Sequence, residues 1–295
     1  MDKLKTINVQ ILNAFVDSGR GGNPAGVVLN SDKLSDKNKL EIAKKVGLSE
    51  TAFVSNSKIS DFKLDFFTPT RQIAHCGHAT IATFSYLRQI GAVKNDNTSK
   101  ETIEGERKIK MVGDLAFMEQ LAPRYTDMGH REQLVLKSLG LQKTDLIPTA
   151  PIQMVNTGNS FLLVPVKNKE ILKNLVPDLS LIEKLSEEFD LIGYYVFSTD
   201  TNSPDRDATS RMFGPRYGIS EEAGTGMAAG PLACYLHDIL EMKKKTFSIQ
   251  QGEYMKKPSP SHIIVELNVE NGEIKSLMAG GKGLLGSQME VEITL

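Results

Sequence analysis

Two stretches of the chain carry no Asp, Glu, Lys or Arg, and they lie about half the chain length apart. They are residues 76–87 and 223–236, and small residues are frequent in both. A surface helix carries a polar stripe, whereas a helix that is apolar or small on all sides is buried. The pattern therefore predicts two buried central helices, with Pro231 bending the second helix or breaking its first turns.

The two stretches are copies of one pattern. Residues 76–87 align without a gap on residues 225–236, so that a glycine begins each helix and Tyr-Leu lies at its end. A Phe-x-Pro segment precedes each copy, beginning at Phe67 and at Phe213. An internal repeat with this order of features predicts a duplicated domain.

Outside the two copies, runs rich in β-branched and aromatic residues favour strands. Residues 34–46 instead form an amphipathic helical pattern, with Ser35 as the N-cap and Gly47 just past the end. Further helices are predicted at 168–175 and 179–189. Strands are predicted at 7–15, 25–29, 52–55, 62–67, 107–112, 115–121, 193–198, 210–213, 246–250, 263–267 and 289–294.

These elements predict an α+β fold in which a curved sheet wraps around one buried helix, made twice, with a cleft between the two copies. The first domain is expected to contain residues 1–121 and the C-terminal strand at 281–295. The second domain is expected to contain residues 122–280.

Composition narrows the class of protein. Of the 295 residues, 40% are hydrophobic and 24% are charged, which is typical of a soluble globular protein. A net charge of −1 gives no general attraction to nucleic acid or anionic lipid. The longest uncharged run, residues 146–166, contains three prolines and is not expected to span a membrane. With no signal-peptide pattern and only two cysteines, a cytoplasmic location is expected.

Glycine turns begin both central helices, at Gly77 and at Gly224-Thr225-Gly226. The start of a buried helix presents unpaired backbone N–H groups and the positive end of the helix dipole. Each turn is therefore either a simple tight turn or a site for an anion such as a substrate carboxylate. On the second interpretation, Gly77, Thr225 and Gly226 are candidate substrate-binding residues.

Six motifs occur in order over nearly the whole chain. They are Asn23-Pro-Ala-Gly26, Leu48-Ser-Glu-Thr-Ala-Phe-Val54, Phe67-x-Pro69, Gly77-His-Ala-Thr80, Asn156-Thr-Gly-Asn159 and Glu221-Glu-Ala-Gly-Thr-Gly226. In these motifs the chain resembles a known family, the phenazine-biosynthesis (PhzF-like) isomerases. The resemblance implies the diaminopimelate epimerase-like fold: two pseudo-symmetric domains, each a mixed β-barrel around a central helix, with the active site between them. It further implies a homodimer and no redox cofactor, nucleotide or metal.

The resemblance implies that Glu50, the glutamate of the second motif, is the general acid/base. In this chain it stands before the apolar run 51–54, where lost solvation is expected to raise its pKa toward the range useful for proton transfer. Without the resemblance, a Glu in this setting is typical of a surface residue or a cap. His78 contributes to the site in the family, and the alternative is a buried histidine that bonds a carbonyl. Asn23, in the first motif, is a candidate substrate-binding residue, and His237 is predicted to lie at the surface.

The second half departs from the founding enzyme of the family, which has Asp-Pro-x-Thr-Gly-Ser where this chain has Glu222-Ala-Gly-Thr-Gly-Met227. Glu222 supplies a carboxylate with a longer reach. Met227 belongs to the predicted binding turn but cannot replace a serine hydroxyl as a donor. General carboxylate chemistry is therefore expected, whereas the founding substrate, a dihydro-hydroxyanthranilate, does not follow.

Cys76 lies where diaminopimelate epimerase and proline racemase carry the first of two catalytic thiols. A helix N-terminus is expected to lower the pKa of such a thiol. Thr225 occupies the second thiol position in this chain, and Cys234 lies further along the helix, so a two-thiol mechanism lacks its second base. Cys76 is otherwise a small buried apolar residue.

The sequence thus predicts a cofactor-independent isomerase in which Glu50 moves a proton within a small carboxylate, assisted by His78 and Glu222. Two alternatives stay open. One is a racemase or epimerase of the same fold that uses Glu50 and Cys76. The other is a non-catalytic protein that binds a small molecule.

Overall fold

The structure, a computed structural model, describes residues 4–294. The chain forms two compact units, residues 1–119 with 280–295 and residues 120–279. The helices are α1 (Asp36–Val46), α2 (Gly77–Gln89), α3 (Glu132–Leu139), α4 (Lys169–Lys173), α5 (Leu179–Glu188) and α6 (Gly226–Asp238). The strands are β1 (Leu4–Ala14), β2 (Asn23–Val28), β3 (Thr51–Ser55), β4 (Phe62–Phe67), β5 (Gln72–Ile73), β6 (Asn97–Thr102), β7 (Gly105–Val112), β8 (Leu115–Leu121), β9 (Arg124–Asp127), β10 (Gln153–Asn156), β11 (Ser160–Pro165), β12 (Gly193–Ser198), β13 (Ala208–Gly214), β14 (Ile219–Glu222), β15 (Thr246–Gln251), β16 (Ser261–Glu270) and β17 (Glu273–Thr294).

Eight strands of the first unit close into a barrel. Their order around the barrel is β1, β2, β3, β4, β6, β7, β8 and β17, and β17 pairs again with β1. The pairs β2–β3 and β4–β6 are parallel. Gly280 lies so near the Ala116 carbonyl that a Cβ there would clash. Glycine at this position therefore lets the last strand reach β8.

Helix α2 is the core of the barrel. It packs against β1, β2 and β3, and ten of its 13 residues are buried. Its two threonine hydroxyls bond the helix's own backbone, as at Thr83, whose Oγ1 donates to the Ala79 carbonyl at 2.7 Å. Phe84 meets the ring of Phe62 edge to face, with the ring centres 5.8 Å apart. The prediction of a buried first central helix is confirmed.

Helix α1 begins and ends where the sequence predicts. The Ser35 hydroxyl accepts a bond from the Asn38 amide, and Gly47 takes a left-handed conformation with φ of 70°. The helix packs against β3 and β4. There Lys39 and Asp65 form an ion pair with Nζ and Oδ2 2.5 Å apart, and each side chain is less than a tenth exposed.

The second unit repeats the plan. Its sheet runs β9, β10, β11, β12, β13, β15 and β16, with β14 also paired to β13. Helix α6 packs against β10, β11 and β16. In each unit, a strand that comes before the central helix in the sequence pairs in parallel with the first strand after that helix. These pairs are β4–β6 and β13–β15. The predicted α+β fold of two pseudo-symmetric domains, each a mixed sheet around a central helix, is confirmed.

Gly230 explains why small residues line the second central helix. A Cβ at this position would clash with the side-chain amide of Gln120. The Gln120 Nε2 donates to the Gly226 carbonyl at 2.9 Å, and its Oε1 accepts from the Thr157 hydroxyl at 2.7 Å. The missing side chain leaves room for a group that braces the first turn of α6.

Several elements differ from the sequence prediction. Of the two outcomes predicted for Pro231, a break does not occur: Pro231 lies inside the continuous helix α6, where its missing N–H removes only one bond near the start. His237, expected at the surface, is only 6% exposed. Strand β17 is far longer than the predicted 289–294. The rest of the strand was missed because its glycine-rich and largely exposed middle has no apolar alternation. Strands β5, β6, β9, β10, β11 and β14 and helix α3 were not predicted. Strands β5, β6, β9, β10 and β14 are short or polar, whereas β11 and α3 were missed although their sequences are largely apolar and amphipathic, respectively. Among the described residues, no helix is long and apolar enough to cross a membrane.

Candidate functional site

The glycine turn before α2 carries three of the predicted residues. Cys76 is the extended N-cap residue, with φ of −143° and ψ of 124°, and its side chain does not cap the helix. Gly77 and His78 are the first two helical residues, and both are buried. Because the helix starts inside the barrel, its first N–H groups lie in an environment with little solvent.

Glu50 reaches this turn from the start of β3. Its carbonyl accepts a bond from the Gly26 amide at 3.1 Å, which fixes it beside β2. Its side chain is only 8% exposed, and Oε2 lies 3.2 Å from Nε2 of His78, whose side chain is 3% exposed. The structure therefore brings together Glu50 and His78, the two residues predicted to be catalytic in the first domain. Asn23, at the first position of β2, is also buried and lies three residues before Gly26.

Cys76 joins the same cluster. Its Sγ lies 3.6 Å from Nδ1 of His78, and the thiol, the imidazole and the Glu50 carboxylate each offer a ligand atom within 4.8 Å of the other two. Burial raises the pKa of the Cys76 thiol, although the neighbouring His78 acts in the opposite direction. The expected net lowering of this pKa is wrong: the backbone N–H of Ala79 at the helix start does lower it, but desolvation of the thiolate outweighs that contact.

The same three residues are a candidate metal cluster among those described, with ligand atoms within 4.8 Å of one another. In the structure both ring nitrogens of His78 have a neighbour in this cluster, Nδ1 the thiol and Nε2 the carboxylate. A metal ion bound here would take one of these two nitrogens.

Sequence analysis missed a lysine behind this turn. Lys100, on β6, is fully buried, and its Nζ lies 2.5 Å from Oγ1 of Thr80 and 3.2 Å from Nδ1 of His75. The Thr80 hydroxyl in turn donates to the Cys76 carbonyl at 2.6 Å. Burial lowers the pKa of Lys100 to about 7. Burial, and then the charge of Lys100, hold the pKa of His75 well below its usual value.

The turn before α6 is held by a different network. Thr225 donates its hydroxyl proton to Oε2 of Glu222, and its backbone N–H donates to Oε1 of Gln251 at 3.0 Å. Nε2 of Gln251 donates to the Glu222 carbonyl at 2.7 Å and to the Thr225 hydroxyl at 3.0 Å. The Tyr195 hydroxyl donates to Oε1 of Gln251 at 2.9 Å. The structure thus joins the predicted Glu222 and Thr225 through two residues, Gln251 and Tyr195, that no sequence motif indicated.

The remaining predicted residues of the second domain lie on α6. Gly226 is its first residue, and its carbonyl accepts the bond from Gln120. Met227 follows and is half-buried. Thr157, which holds the Gln120 side chain, comes from the Asn156-Thr-Gly-Asn159 loop. The loop that resembles the family therefore braces the helix start through Gln120.

Comparison with known proteins agrees with this fold. The family described as "Phenazine biosynthesis-like protein" matches residues 12–285. A protein of Clostridium acetobutylicum named as an uncharacterized isomerase is 31% identical over 98% of this chain and 99% of its own length. The trans-2,3-dihydro-3-hydroxyanthranilate isomerase of Pseudomonas chlororaphis is 31% identical over 84% of this chain and 87% of its own length. The crystal structure of a PhzF-family protein of Bacillus anthracis, 28% identical, covers 97% of this chain and 99% of its own, with a TM-score of 0.87.

The family match covers most of the chain, and the relatives are named as isomerases over nearly their full lengths. A purely binding role, one of the alternatives left open by the sequence, does not agree with these names. The chain belongs to the phenazine biosynthesis-like (PhzF) family and is an isomerase.

Proposed function

We propose that this isomerase moves a proton between two carbon atoms of a small unsaturated carboxylic acid, with Glu50 as its acid/base. The observation that carries the proposal is the buried contact of 3.2 Å between Oε2 of Glu50 and Nε2 of His78. A carboxyl group removed from water and held by an imidazole is suited to take and return a proton near neutral pH.

The contacts of His78 favour one tautomer. In this tautomer Nδ1 accepts from the Cys76 thiol, and Nε2 carries the hydrogen and faces Glu50 Oε2 at 3.2 Å. A neutral imidazole agrees with its place at the positive end of α2, where an imidazolium is disfavoured. His78 then holds the Glu50 carboxylate in position while that carboxylate acts as the base.

The proposed reaction needs one residue to carry the proton. The Glu50 carboxylate removes an acidic C–H proton, and the electron pair enters the conjugated system of the substrate. Backbone N–H groups at the start of α2 stabilise the negative charge that develops. The protonated Glu50 then delivers the proton to another carbon of the same system, so the double bond shifts and no electrons are gained or lost.

The name of the Pseudomonas chlororaphis relative supplies a first probe, trans-2,3-dihydro-3-hydroxyanthranilate. Because Met227 offers no hydroxyl where the founding enzyme of the family has a serine, the substrate is proposed only as a class, an unsaturated carboxylic acid. Glu222 is the proposed assisting carboxylate, kept in place by Thr225 and Gln251.

The proposal is tested by incubating the protein in D2O with this probe and with other unsaturated acids. Mass spectrometry is expected to show an isomer that has gained one deuterium at carbon, because the proton that Glu50 has taken from the substrate exchanges with solvent before it is delivered to the second carbon. Loss of this incorporation in Glu50→Gln is the expected outcome. A Glu50→Gln variant that isomerises at the wild-type rate would rule the mechanism out.

A second candidate, a racemase or epimerase that uses Cys76 with Glu50, is favoured by the 3.6 Å contact between Sγ and Nδ1 of His78. Cys76→Ala separates the two. The single-base mechanism expects a fall in turnover of less than about tenfold, since one neutral hydrogen bond is lost. A two-base mechanism expects a fall of about a hundredfold or more, together with a product inverted at one carbon. Chiral chromatography of the product is the measurement.

A further inference from the structure

Lys100 is a buried cation that the proposed reaction does not use. It lies on the inner face of β6, and its Nζ stands 4.9 Å from the ring centre of Phe66. The hydrogen-bond partners that the structure gives it are the Thr80 hydroxyl and the His75 imidazole. These groups carry no negative charge, so within residues 4–294 the ammonium is buried with no carboxylate paired to it, although one normally accompanies a buried ammonium.

The two bonds of Lys100 lie on either side of Cys76. One goes to His75, the residue just before it, at 3.2 Å. The other goes to Thr80, whose hydroxyl donates to the Cys76 carbonyl at 2.6 Å and whose amide donates to the same carbonyl at 3.3 Å. The Lys100 amine therefore holds the chain at two points. It bonds His75 just before the glycine turn and, through the Thr80 hydroxyl, it supports the Cys76 carbonyl, which accepts the first bond of α2.

We propose that Lys100 is a positioning residue, which acts through Thr80 and His75 to fix the turn that places Cys76 and His78 beside Glu50. The importance of that placement rests on the proposed function. Two bonds from one rigidly buried donor restrict the turn more than two separate surface contacts would.

Electrostatic attraction to its neighbours does not explain why Lys100 is buried. Burial lowers its pKa to about 7, so the fold holds it against the preference of an ammonium for water. Such a group is typical of a functional site, where a local arrangement is kept at the expense of stability.

The proposal is tested without a substrate by the rate at which iodoacetamide labels Cys76, measured by mass spectrometry of the Cys76 peptide. Lys100→Met and Thr80→Val are each expected to raise this rate about fivefold or more, because the turn opens more often when the link is cut. Thr80→Ser keeps the hydroxyl and is expected to behave as wild type. The double variant Lys100→Met/Thr80→Val is expected to label no faster than either single variant, since both break the same link.

Two controls separate a local role from general loosening. Cys234, fully buried in α6, reports on the rest of the protein in the same sample and is expected to stay unlabelled. Lys108→Met removes an exposed lysine from the strand paired with β6 and is expected to change nothing. Wild-type labelling of Cys76 in both Lys100→Met and Thr80→Val would overturn the proposal, and so would parallel acceleration of Cys234. If Lys100→Met does not fold, Thr80→Val and its serine control decide the matter.

Activity supplies the second readout. In the D2O assay, Lys100→Met is expected to lower turnover at saturating probe about tenfold while KM stays within about twofold, because positioning of the base is lost and binding is kept. A rise in KM with unchanged turnover would contradict this. If Glu50→Gln retains full exchange, the proposed function fails, whereas the labelling result on Lys100 stands by itself.

Discussion

Burying the Lys100 ammonium lowers the free energy of unfolding, and the size of this effect depends on pH. Its pKa is about 7 in the folded protein, against 10.5 when it is exposed. Between these values the unfolded chain binds more protons than the folded protein, so stability rises with pH through this window. Below pH 7 both states are protonated and the full penalty is present.

The linkage gives a prediction for Lys100→Met. Lys100 makes the wild type roughly 3 kcal/mol more stable at pH 9.5 than at pH 7. The methionine variant is expected to lack this gain in stability. Urea unfolding of both proteins at the two pH values measures the difference. Equal pH dependence of the two proteins would show that Lys100 is not desolvated in the folded state.

The residues of the site were only partly accessible from the sequence. Glu50 and His78 were found because each lies in a family motif, and the structure places them in contact. Lys100 stands in the polar segment Asn-Thr-Ser-Lys-Glu-Thr, which is typical of a surface strand or loop. Its partner Thr80 is 20 positions away on a helix, so no local pattern links the two. The role of Gln251 could not be predicted for the same reason. It depends on contact between β15 and the turn at Thr225, which lies 26 positions earlier in the sequence.

At the scale of elements, a buried ion pair joins α1 to β4. Nζ of Lys39 and Oδ2 of Asp65 are 2.5 Å apart, and both side chains are almost fully buried. Lys39→Met leaves the Asp65 carboxylate buried without a counter-charge and is expected to cost about 3–5 kcal/mol of stability. Chemical denaturation measures this loss.

Lys37, exposed on the same helix, provides the control for this pair. Lys37→Met is expected to change stability by less than about 0.5 kcal/mol, as is usual for an isolated surface residue. The double variant Lys39→Met/Asp65→Leu is expected to recover most of the stability, because it removes both charges. Equal stability of Lys39→Met and Lys37→Met would contradict a buried, energetically coupled pair.

Elements with strong local signals were predicted well. The boundaries of α1 follow from its capping residues, and both central helices follow from their lack of charge. Strands with weak signals were missed, and β6 and the middle of β17 are the clearest cases. Each owes its conformation to neighbouring strands of the closed barrel, since polar and glycine-rich sequences have little strand preference of their own.

At the scale of the molecule, the duplication visible in the sequence determines the architecture. Both units place a 13-residue helix inside a mixed sheet and begin it at a glycine. The means of holding the two turns differ, with Lys100 and Thr80 in the first unit and Gln251 with Tyr195 in the second. The repeat therefore predicts the shared scaffold, whereas the chemistry that distinguishes the halves becomes visible only when distant residues are brought together.

Proton transfer by Glu50 is the central claim, and the isomerisation rate of Glu50→Gln in D2O tests it most directly. The amide keeps the size of the side chain but cannot take up a proton, so the rate is expected to fall by about a hundredfold or more. Glu41→Gln, which alters a glutamate of α1 paired with Lys45 at the surface, is expected to retain the wild-type rate. Deuterium incorporation by Glu50→Gln at the wild-type rate would contradict the account.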